Sequence, residues 1–257
     1  MERLAKIVCT LGPSSSSKIV IKRLIRAGMN VARLNFSHGT HESHLAMIKL
    51  IRECARETGS SIGILQDLQG PKLRVGKLPV EGVPLSAGAK VKLFMAGDAI
   101  ADYEGDEIAL PLDVPNLSRA VKPGNRILLD DGKLELQVTQ VVGNSVETRV
   151  ILGGVLMSHK GVNLPGTDLG IDRFTEKDRS DLEFGLANAV DFVAISFVES
   201  DKDIQRVRDL IQVLAPERKK TPIIAKLERP AAVNNLHAIV HAADGVMVAR
   251  GDLGVET

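Results

Sequence analysis

Charged side chains follow two short apolar runs near the end of the sequence. Ile223–Glu228 carries Lys226 and Glu228 at its end, and the run that begins at Gly245 leads into Arg250-Gly251-Asp252. Buried parallel strands are continuous apolar runs, and ligands of α/β folds bind where such strands end. Two carboxylates beside one ammonium therefore predict a divalent-cation site suited to an anionic, oxygen-rich substrate. A salt bridge at the rim of a barrel explains the same spacing equally well.

The composition is that of an ordinary globular protein. The 257 residues are 44% hydrophobic and 25% charged, with a net charge of +1, which disfavours nucleic acid or a membrane surface as the main partner. No apolar run approaches the roughly 18 residues of a membrane span, and the N-terminus lacks the apolar stretch of a signal peptide. We therefore expect a cytoplasmic protein.

Aromatic and cysteine usage excludes two further classes of site. Trp is absent and Tyr103 is the single tyrosine, so stacking platforms for single-stranded nucleic acid are not expected. Cys9 falls in a predicted strand and Cys54 on a helix face. Reduced core thiols explain this pair better than a disulfide or a metal site.

Alternating strand and helix patterns occupy the two ends of the chain. Predicted strands at 6–12, 31–36 and 62–65, and again at 191–197, 223–228 and 245–249, are separated by amphipathic segments. Thr175–Asp178 and Ser200–Asp203 are two capping boxes, and Pro230 starts a further helix. Residues 76–158 show strand and turn signals, including a hairpin around Asp131-Gly132, but no helical period.

These patterns predict an α/β fold, an incomplete (β/α)8 TIM barrel with an inserted all-β domain. Residues 1–75 and 159–257 form the barrel domain, and residues 76–158 form the insertion, itself resembling a small β-barrel. A complete barrel needs eight βα units in about 250 residues. The barrel part has 174 residues, so we expect the last strands to be missing.

Ordered motifs along the whole chain resemble the pyruvate kinase family. The two most specific are the stretches around Arg33–Gly39 and Ala249–Gly254. The matching segments, in family order, are residues 10–13, 28–39, 67–74, 130–132, 160–166, 224–228 and 247–254. The resemblance implies transfer of a phosphoryl group between phosphoenolpyruvate and ADP, with pyruvate and ATP as products, and a barrel with an inserted β domain.

The resemblance also implies a role for each matching residue. Lys226 and Arg33 would be catalytic, with Lys226 neutralising the transferring group and Arg33 gripping the phosphate. Glu228 and Asp252 would hold Mg²⁺ or Mn²⁺. Substrate contacts would be made by Asn30, Arg33, Lys226 and the backbone amide of Gly251, and nucleotide contacts by Asn35, Phe36, Ser37, His38, Arg74 and Lys160.

A monovalent-cation site is the point where this sequence departs from the family pattern. Members that depend on K⁺ hold it with residues matching Asn35, Ser37, Asp67 and the carbonyl of position 68. The pattern of these K⁺-dependent members has Thr at position 68 and Glu at position 72. This sequence has Leu68 and Lys72 instead. Because a lysine ammonium can supply the charge of K⁺, we expect activity that does not need K⁺.

The resemblance sets expectations for the longer protein as well. Family members continue through further barrel strands and a C-terminal regulatory domain, and the full-length protein is expected to be a homo-oligomer, a tetramer. For residues 1–257 alone we expect low or no activity. An exposed apolar edge at the Gly245 strand would favour association.

Two other functions are compatible with the sequence. One is a metal-dependent lyase or aldolase acting on a 2-oxo acid, since such enzymes also stabilise an enolate with a divalent cation on a similar barrel. The other is a fragment that binds ligands or partners without turnover. Pyruvate formation that requires ADP separates the kinase from both.

Overall fold

The computed structural model describes residues 4–95 and 108–256, which divide into two compact units. The first comprises the described residues of Met1–Gly70 with Arg173–Val248, and the second those of Pro71–Asp172 with Ala249–Thr257. The domain boundaries predicted after residues 75 and 158 stay a prediction. Tyr103 and the part of the predicted insertion at 96–107 lie outside the described residues.

Strands and helices alternate in the first unit, and short strands dominate the second. The strands are β1 (Ile7–Leu11), β2 (Met29–Asn35), β3 (Gly63–Asp67), β4 (Arg74–Val75), β5 (Val83–Leu85), β6 (Lys90–Met95), β7 (Ile108–Asp113), β8 (Arg126–Leu129), β9 (Leu134–Val142), β10 (Ser145–Leu152), β11 (Gly154–Leu156), β12 (Val162–Asn163), β13 (Phe192–Ile195), β14 (Ile223–Leu227) and β15 (Gly245–Val248). The α-helices are α1 (Lys18–Arg26), α2 (His41–Thr58), α3 (Leu117–Ala120), α4 (Glu176–Ala187), α5 (Asp201–Leu214), α6 (Pro230–Asn234), α7 (Leu236–Ala242) and α8 (Arg250–Glu256).

A parallel sheet in the order β1-β2-β3-β13-β14-β15 organises the first unit. Each strand pairs in parallel with its neighbours, and helices connect them, as in the βα units of a barrel. Among the described strands, β1 and β15 each have one partner, so this sheet is open. The predicted α/β class and incomplete TIM barrel are confirmed, and the six predicted strands lie within a few residues of their expected positions.

Helix signals in the sequence explain where the helices of the first unit begin and end. Ser17 and Thr40 cap α1 and α2 with their hydroxyl groups, and Gly59 ends α2 in the left-handed conformation at φ 61°. Ile21 of α1 and Ile51 of α2 are fully buried in the core against the sheet. Among residues 4–95 and 108–256, no helix is both long and apolar enough to cross a membrane.

The second unit is built on a seven-stranded sheet in the order β12-β8-β9-β10-β6-β7-β4. The predicted hairpin is confirmed, because β8 and β9 pair antiparallel around Asp130, Asp131 and Gly132, which all have positive φ. Its own core includes the fully buried Leu93, Leu110, Ile127 and Leu136. Helix α8 belongs to this unit by its contacts, and Asn163 Nδ2 donates to Glu256 Oε1 at 2.9 Å.

Gly185 of α4 allows this helix to approach β3 closely. A β-carbon at Gly185 would overlap the buried side-chain amide of Gln66, whose Nε2 donates to the Asp181 carbonyl at 2.6 Å. We expect Gly185→Ala to lower the free energy of unfolding by about 1–2 kcal/mol, because overpacking outweighs the gain in helix propensity. Urea denaturation measures this loss.

A second helical glycine provides the control for that substitution. A β-carbon at Gly254 of α8 meets no atom within 4 Å, so Gly254→Ala should leave stability unchanged or slightly raised. The double variant Gln66→Ala, Gly185→Ala should be more stable than the sum of its single effects predicts. Equal stability of Gly185→Ala and wild type would show that Gln66 moves aside without cost.

Candidate active site

Four adjacent strands of the parallel sheet bring charged and polar side chains together at their C-terminal ends. Arg33 lies near the end of β2, Asp67 ends β3, and Ser196 follows β13. Lys226 lies near the end of β14, and Glu228 follows it. Because β2, β3, β13 and β14 are neighbours in that order, these five residues converge on one edge of the sheet.

Lys226 is held between two buried carboxylates. Its Nζ lies 2.8 Å from Glu228 Oε1 and 3.2 Å from Asp67 Oδ1, and it donates to Ser196 Oγ at 2.8 Å. The exposed fractions of the Lys226, Glu228 and Asp67 side chains are 12%, 2% and 1%, so these charges interact with little screening by water. Sequence reasoning placed Lys226 beside the carboxylates of Glu228 and Asp252; in the structure the carboxylates that contact its ammonium are those of Glu228 and Asp67.

The protonation of Lys226 follows from these neighbours. Burial by itself would lower the pKa of the Lys226 ammonium, but the charges of Glu228 and Asp67 outweigh it and raise the pKa above its usual range. The side chain therefore carries a full positive charge at neutral pH. A fixed cation at this position can neutralise an anionic group that is bound beside it.

Asp67 also holds the second predicted catalytic cation. Arg33 Nε donates to Asp67 Oδ2 at 2.6 Å, and Arg33 Nη2 contacts the same oxygen. Arg33 Nη1 donates to the Thr10 hydroxyl at 2.8 Å. With 23% of its side chain exposed, Arg33 is oriented by Asp67 while it remains accessible to a ligand. Sequence reasoning had linked Asp67 only with a monovalent cation.

Glu228 is oriented by a backbone amide as well as by Lys226. The amide of Phe197 donates to Glu228 Oε2 at 2.7 Å, and Phe197 has the left-handed φ of 56°. Arg229 lies over the Phe197 ring at 5.3 Å and pairs with Glu199 at 3.0 Å. Ser196, Phe197 and Glu199 were missed from sequence, where the predicted strand at 191–197 ran through two of them.

The loop after β2 is folded around Asn35. The Ser37 amide donates to Asn35 Oδ1 at 3.0 Å, and the His38 amide donates to the Asn35 carbonyl at 3.3 Å. Phe36 is buried and stacks on His44 with 3.9 Å between ring centroids, so its side chain anchors the loop. His44 Nε2 bonds the His38 carbonyl at 2.9 Å, and burial lowers the pKa of His44.

Asn30 and Leu68 lie in settings of a different kind. Asn30 is near the start of β2, at the opposite end of the strand from Asn35, and its Oδ1 accepts from the Ile7 amide at 2.9 Å. The structure therefore does not bring Asn30 together with Arg33 and Lys226. The side chain of Leu68 is buried, and its carbonyl accepts the Ser196 hydroxyl at 2.7 Å.

The other predicted site residues belong to the second unit. Lys160 pairs with Asp130 at 2.9 Å, and this contact, ahead of the burial that opposes it, lowers the pKa of the Asp130 carboxyl. Arg74 begins β4 and bridges to Gly161. Gly251 and Asp252 are exposed in the first turn of α8.

The carboxylates present fit a hard divalent cation bound jointly with substrate. Among the described residues, no group of three or more His, Cys, Asp and Glu side chains forms a metal site. Mg²⁺ in phosphoryl-transfer sites is usually bound by one or two carboxylates and by substrate oxygens, so a complete protein cage is not required. The buried carboxylate of Glu228, fixed by the Phe197 amide, is a ligand of the right chemistry.

Comparison with known proteins decides the family. Residues 2–257 match the family model described as pyruvate kinase, barrel domain. The chain is 46% identical over 256 residues to a pyruvate kinase of Corynebacterium glutamicum, covering 100% of this chain and 52% of that protein. It is 46% identical over 260 residues to pyruvate kinase 2 of Synechocystis sp., covering 100% of this chain and 43% of that protein. The chain belongs to the pyruvate kinase family.

Membership of the pyruvate kinase family confirms the resemblance seen in the sequence motifs and places the chain in a family of phosphotransferases. A pyruvate kinase of Thermococcus litoralis is 44% identical over 253 residues, covering 98% of this chain and 51% of that protein. The chain thus spans about half the length of the curated pyruvate kinases that it matches.

Proposed function

We propose that this chain carries the phosphoryl-transfer site of a pyruvate kinase, which moves the phosphoryl group from phosphoenolpyruvate to ADP, with pyruvate and ATP as products; residues 1–257 alone are expected to turn over slowly or not at all. The observation that supports the proposal most strongly is the buried ammonium of Lys226 between Asp67 and Glu228, beside Arg33. Phosphoryl transfer depends mainly on positioning and charge stabilisation, and this cluster is a preorganised arrangement of charges. The first unit supplies all four side chains.

Each cation in the cluster has a distinct role in this proposal. Lys226 neutralises the charge on the transferring phosphoryl group and the enolate oxygen, because its ammonium is fixed by two carboxylates and Ser196. Arg33 binds the phosphate through its guanidinium, which matches phosphate geometry, and Asp67 keeps its orientation. Family resemblance alone assigns Arg74 to the phosphate and the Gly251 amide to the substrate carboxylate.

Glu228 and Asp252 are the proposed ligands of Mg²⁺ or Mn²⁺. When bound, the cation supplies positive charge to the phosphoryl oxygens and the developing enolate. Glu228 is oriented for this by the Phe197 amide, which leaves acceptor capacity on both carboxylate oxygens. Asp252, at the start of α8, is proposed as the second carboxylate on family resemblance alone.

The nucleotide is assigned to backbone and side chains rather than to a glycine-rich phosphate loop. Asn35, Phe36, Ser37 and His38 form the compact loop after β2. Lys160 and Arg74 are proposed nucleotide contacts on family resemblance alone. We retain Asn30 as a proposed substrate contact on family resemblance alone. Its hydrogen bond to the Ile7 amide gives that assignment no support.

Activity without K⁺ is the expected consequence of Lys72. The proposed K⁺ ligands are Asn35, Ser37, Asp67 and the Leu68 carbonyl, and Lys72 would bring the charge that K⁺ brings elsewhere. Replacing K⁺ by tetramethylammonium in the assay should therefore leave the rate unchanged, whereas Lys72→Glu should create a requirement for K⁺. A large fall in the wild-type rate without K⁺ would contradict this assignment.

ADP-dependent release of pyruvate tests the proposed function. Pyruvate should form from phosphoenolpyruvate and Mg²⁺ only when ADP is present, and Lys226→Ala should lower the rate by about 10²–10³-fold, the usual cost of one preorganised donor. The exposed Lys219→Ala is the control and should keep the wild-type rate. A low rate of pyruvate formation by the wild-type chain supports the proposal if that rate requires ADP.

The same assay separates the alternatives. Pyruvate formation without ADP would favour a 2-oxo-acid lyase or aldolase, and binding of ligands without turnover would favour a non-catalytic fragment. No observation on the described residues favours either one. A homo-oligomeric, cytoplasmic pyruvate kinase remains our proposal for the longer protein.

A further inference from the structure

The first two turns of α4 contact two loops of the candidate active site. The predicted capping box is formed, since the Thr175 hydroxyl accepts from the Asp178 amide and Asp178 Oδ2 accepts from the Thr175 amide at 2.9 Å. Such a box is sufficient to begin a helix. Here, however, Lys177, Asp178 and Asp181 also make contacts outside their own helix.

Lys177 connects α4 to the loop after β2. Its Nζ donates to the Phe36 carbonyl at 2.8 Å and forms an ion pair with Asp181 on the next turn. Asp181 has 4% of its side chain exposed, and its other oxygen lies 2.7 Å from His41 Nε2, at the start of α2. Helix α4 therefore holds the loop from Asn35 to Gly39 at two points. One is the Phe36 carbonyl, and the other is His41, where α2 begins after the loop.

Asp178 connects α4 to the loop after β3. Its Oδ2 is used in the capping box, and its Oδ1 accepts from the Gly70 amide at 2.9 Å. Asp178 is 1% exposed, so the two oxygens are satisfied by the protein rather than by water. Gly70 has φ 69°, and a β-carbon there would meet Phe197, so this loop conformation needs both glycine and an external anchor.

Helix α5 begins with a similar pattern, and among residues 4–95 and 108–256 the hydrogen bonds of its capping box lie within its own loop. Ser200–Asp203 is a capping box in which Asp203 Oδ2 accepts from the Ser200 amide at 2.8 Å and the Glu199 amide at 2.9 Å, both in its own loop. Lys202 occupies the position that Lys177 has in α4; both lysines are exposed, and Lys177 adds the hydrogen bond to the Phe36 carbonyl. A helix can therefore begin at such a capping box without contacts like those of Lys177 with Phe36 and of Asp178 with Gly70.

The platform from which these contacts are made is itself fixed to the sheet. Gln66 of β3 donates to the Asp181 carbonyl at 2.6 Å, and Gly185 permits the close approach described above. Gln66 precedes Asp67, the anion of the catalytic cluster, on the same strand. A shift of α4 would consequently move the ends of both β2 and β3.

We propose that Lys177 and Asp178 are positioning residues that hold the loops after β2 and β3 in the arrangement needed to bind the nucleotide. This rests on the proposed function, which assigns Asn35–His38 to ADP. The two residues do not touch substrate in the proposal; they act through the Phe36 carbonyl and the Gly70 amide. Removing either should loosen one loop while the rest of the first unit keeps its stability.

Hydrogen exchange of individual amides in the 257-residue chain tests the positioning role. In Lys177→Met the amides of Phe36, Ser37 and His38 should exchange about tenfold faster, because the hydrogen bond from a charged group to the Phe36 carbonyl is lost. Lys177→Arg should restore much of the protection, and Lys202→Met should exchange as wild type does. Unchanged exchange of these amides in Lys177→Met would overturn the proposal.

Asp178→Ala provides a second test through a different loop. In Asp178→Ala the Gly70 amide should exchange faster, by a factor similar to that expected for the Phe36 loop in Lys177→Met. Asp203→Ala is the control: it loses an equivalent capping box at α5 and should leave the Gly70 amide protected. Equal exchange of Gly70 in both variants would show that Asp178 serves its helix alone.

Binding of ADP with Mg²⁺, measured by calorimetry, separates this inference from the proposed function. Wild type should bind, and Lys177→Met should bind at least about tenfold more weakly, with recovery in Lys177→Arg. Faster loop exchange with unchanged ADP affinity would overturn the nucleotide role of the two residues. Absence of ADP binding by wild type would instead count against the proposed function, and the exchange data would still decide whether the loops are held.

Discussion

Replacing Lys226 by methionine should lower the free energy of unfolding of the chain by about 3–5 kcal/mol, the typical result when one partner of a buried ion pair is removed. The carboxylates of Asp67 and Glu228 are nearly inaccessible to water, and both contact the Lys226 ammonium. Methionine keeps most of the volume but leaves the charge on Glu228 without a cation. Urea denaturation at neutral pH measures the loss.

An exposed lysine distinguishes this effect from a general loss of positive charge. Lys202→Met should change the free energy of unfolding by less than about 0.5 kcal/mol, as surface substitutions usually do. A loss in Lys226→Met as small as that in Lys202→Met would mean that the carboxylates reach water or protonate without cost. The buried cluster would then not be the rigid set of charges described above.

Replacing Asp67 by asparagine should cost about 3 kcal/mol, near the lower end of the same range. Asparagine has nearly the same shape, but it removes the anion that Arg33 and Lys226 share. Partial exposure of Arg33 moderates the cost, because its guanidinium can regain water. Lys226 is buried, and Glu228 is the anion that remains paired with it. Thermal or urea denaturation of the chain provides the measurement.

A double-mutant cycle shows whether the two residues act through one another. Asp67→Asn combined with Lys226→Met should cost less than the sum of the single losses, with a coupling of about 0.5–3 kcal/mol, because the double variant contains one fewer unpaired charge. Strict additivity would contradict a direct interaction between the Asp67 and Lys226 side chains.

The sequence predicted the parts of the fold that depend on local pattern. The strand runs that contain Arg33, Lys226 and the following carboxylate were found, because buried parallel strands have continuous apolar residues that end in polar ones. The placement of Lys226 and Glu228 at the end of one strand was predicted from the apolar run that contains them. Both capping boxes were also found, since such boxes are short-range patterns.

Contacts between distant segments were the part that the sequence did not reveal. Asp67 lies 159 positions before Lys226, and only the parallel register of the sheet brings their side chains together. The predicted helix from Pro230 is divided into α6 and α7 at Asn235, whose side chain donates to the Glu199 carbonyl at 2.8 Å. Such tertiary hydrogen bonds override local propensity and leave no periodic signal.

Helix α4 illustrates the same limit within one motif. Its capping box was evident, but the contacts of Lys177 with Phe36 and of Asp178 with Gly70 join residues more than a hundred positions apart. In the similar capping box at the start of α5, Asp203 accepts hydrogen bonds from the Glu199 and Ser200 amides of its own loop. Sequence alone therefore could not tell which of the two boxes supports the candidate site.

Binding of Mn²⁺ in the presence of phosphoenolpyruvate tests the central claim most directly, because free Mn²⁺ can be followed by electron paramagnetic resonance without any turnover. The charge cluster at the ends of β2, β3 and β14 predicts one bound Mn²⁺ per chain. Glu228→Gln should weaken binding by at least about tenfold to hundredfold, while the exposed Glu183→Gln on α4 should bind as wild type does. Wild-type affinity in Glu228→Gln, or no Mn²⁺ bound by the wild-type chain, would contradict the account.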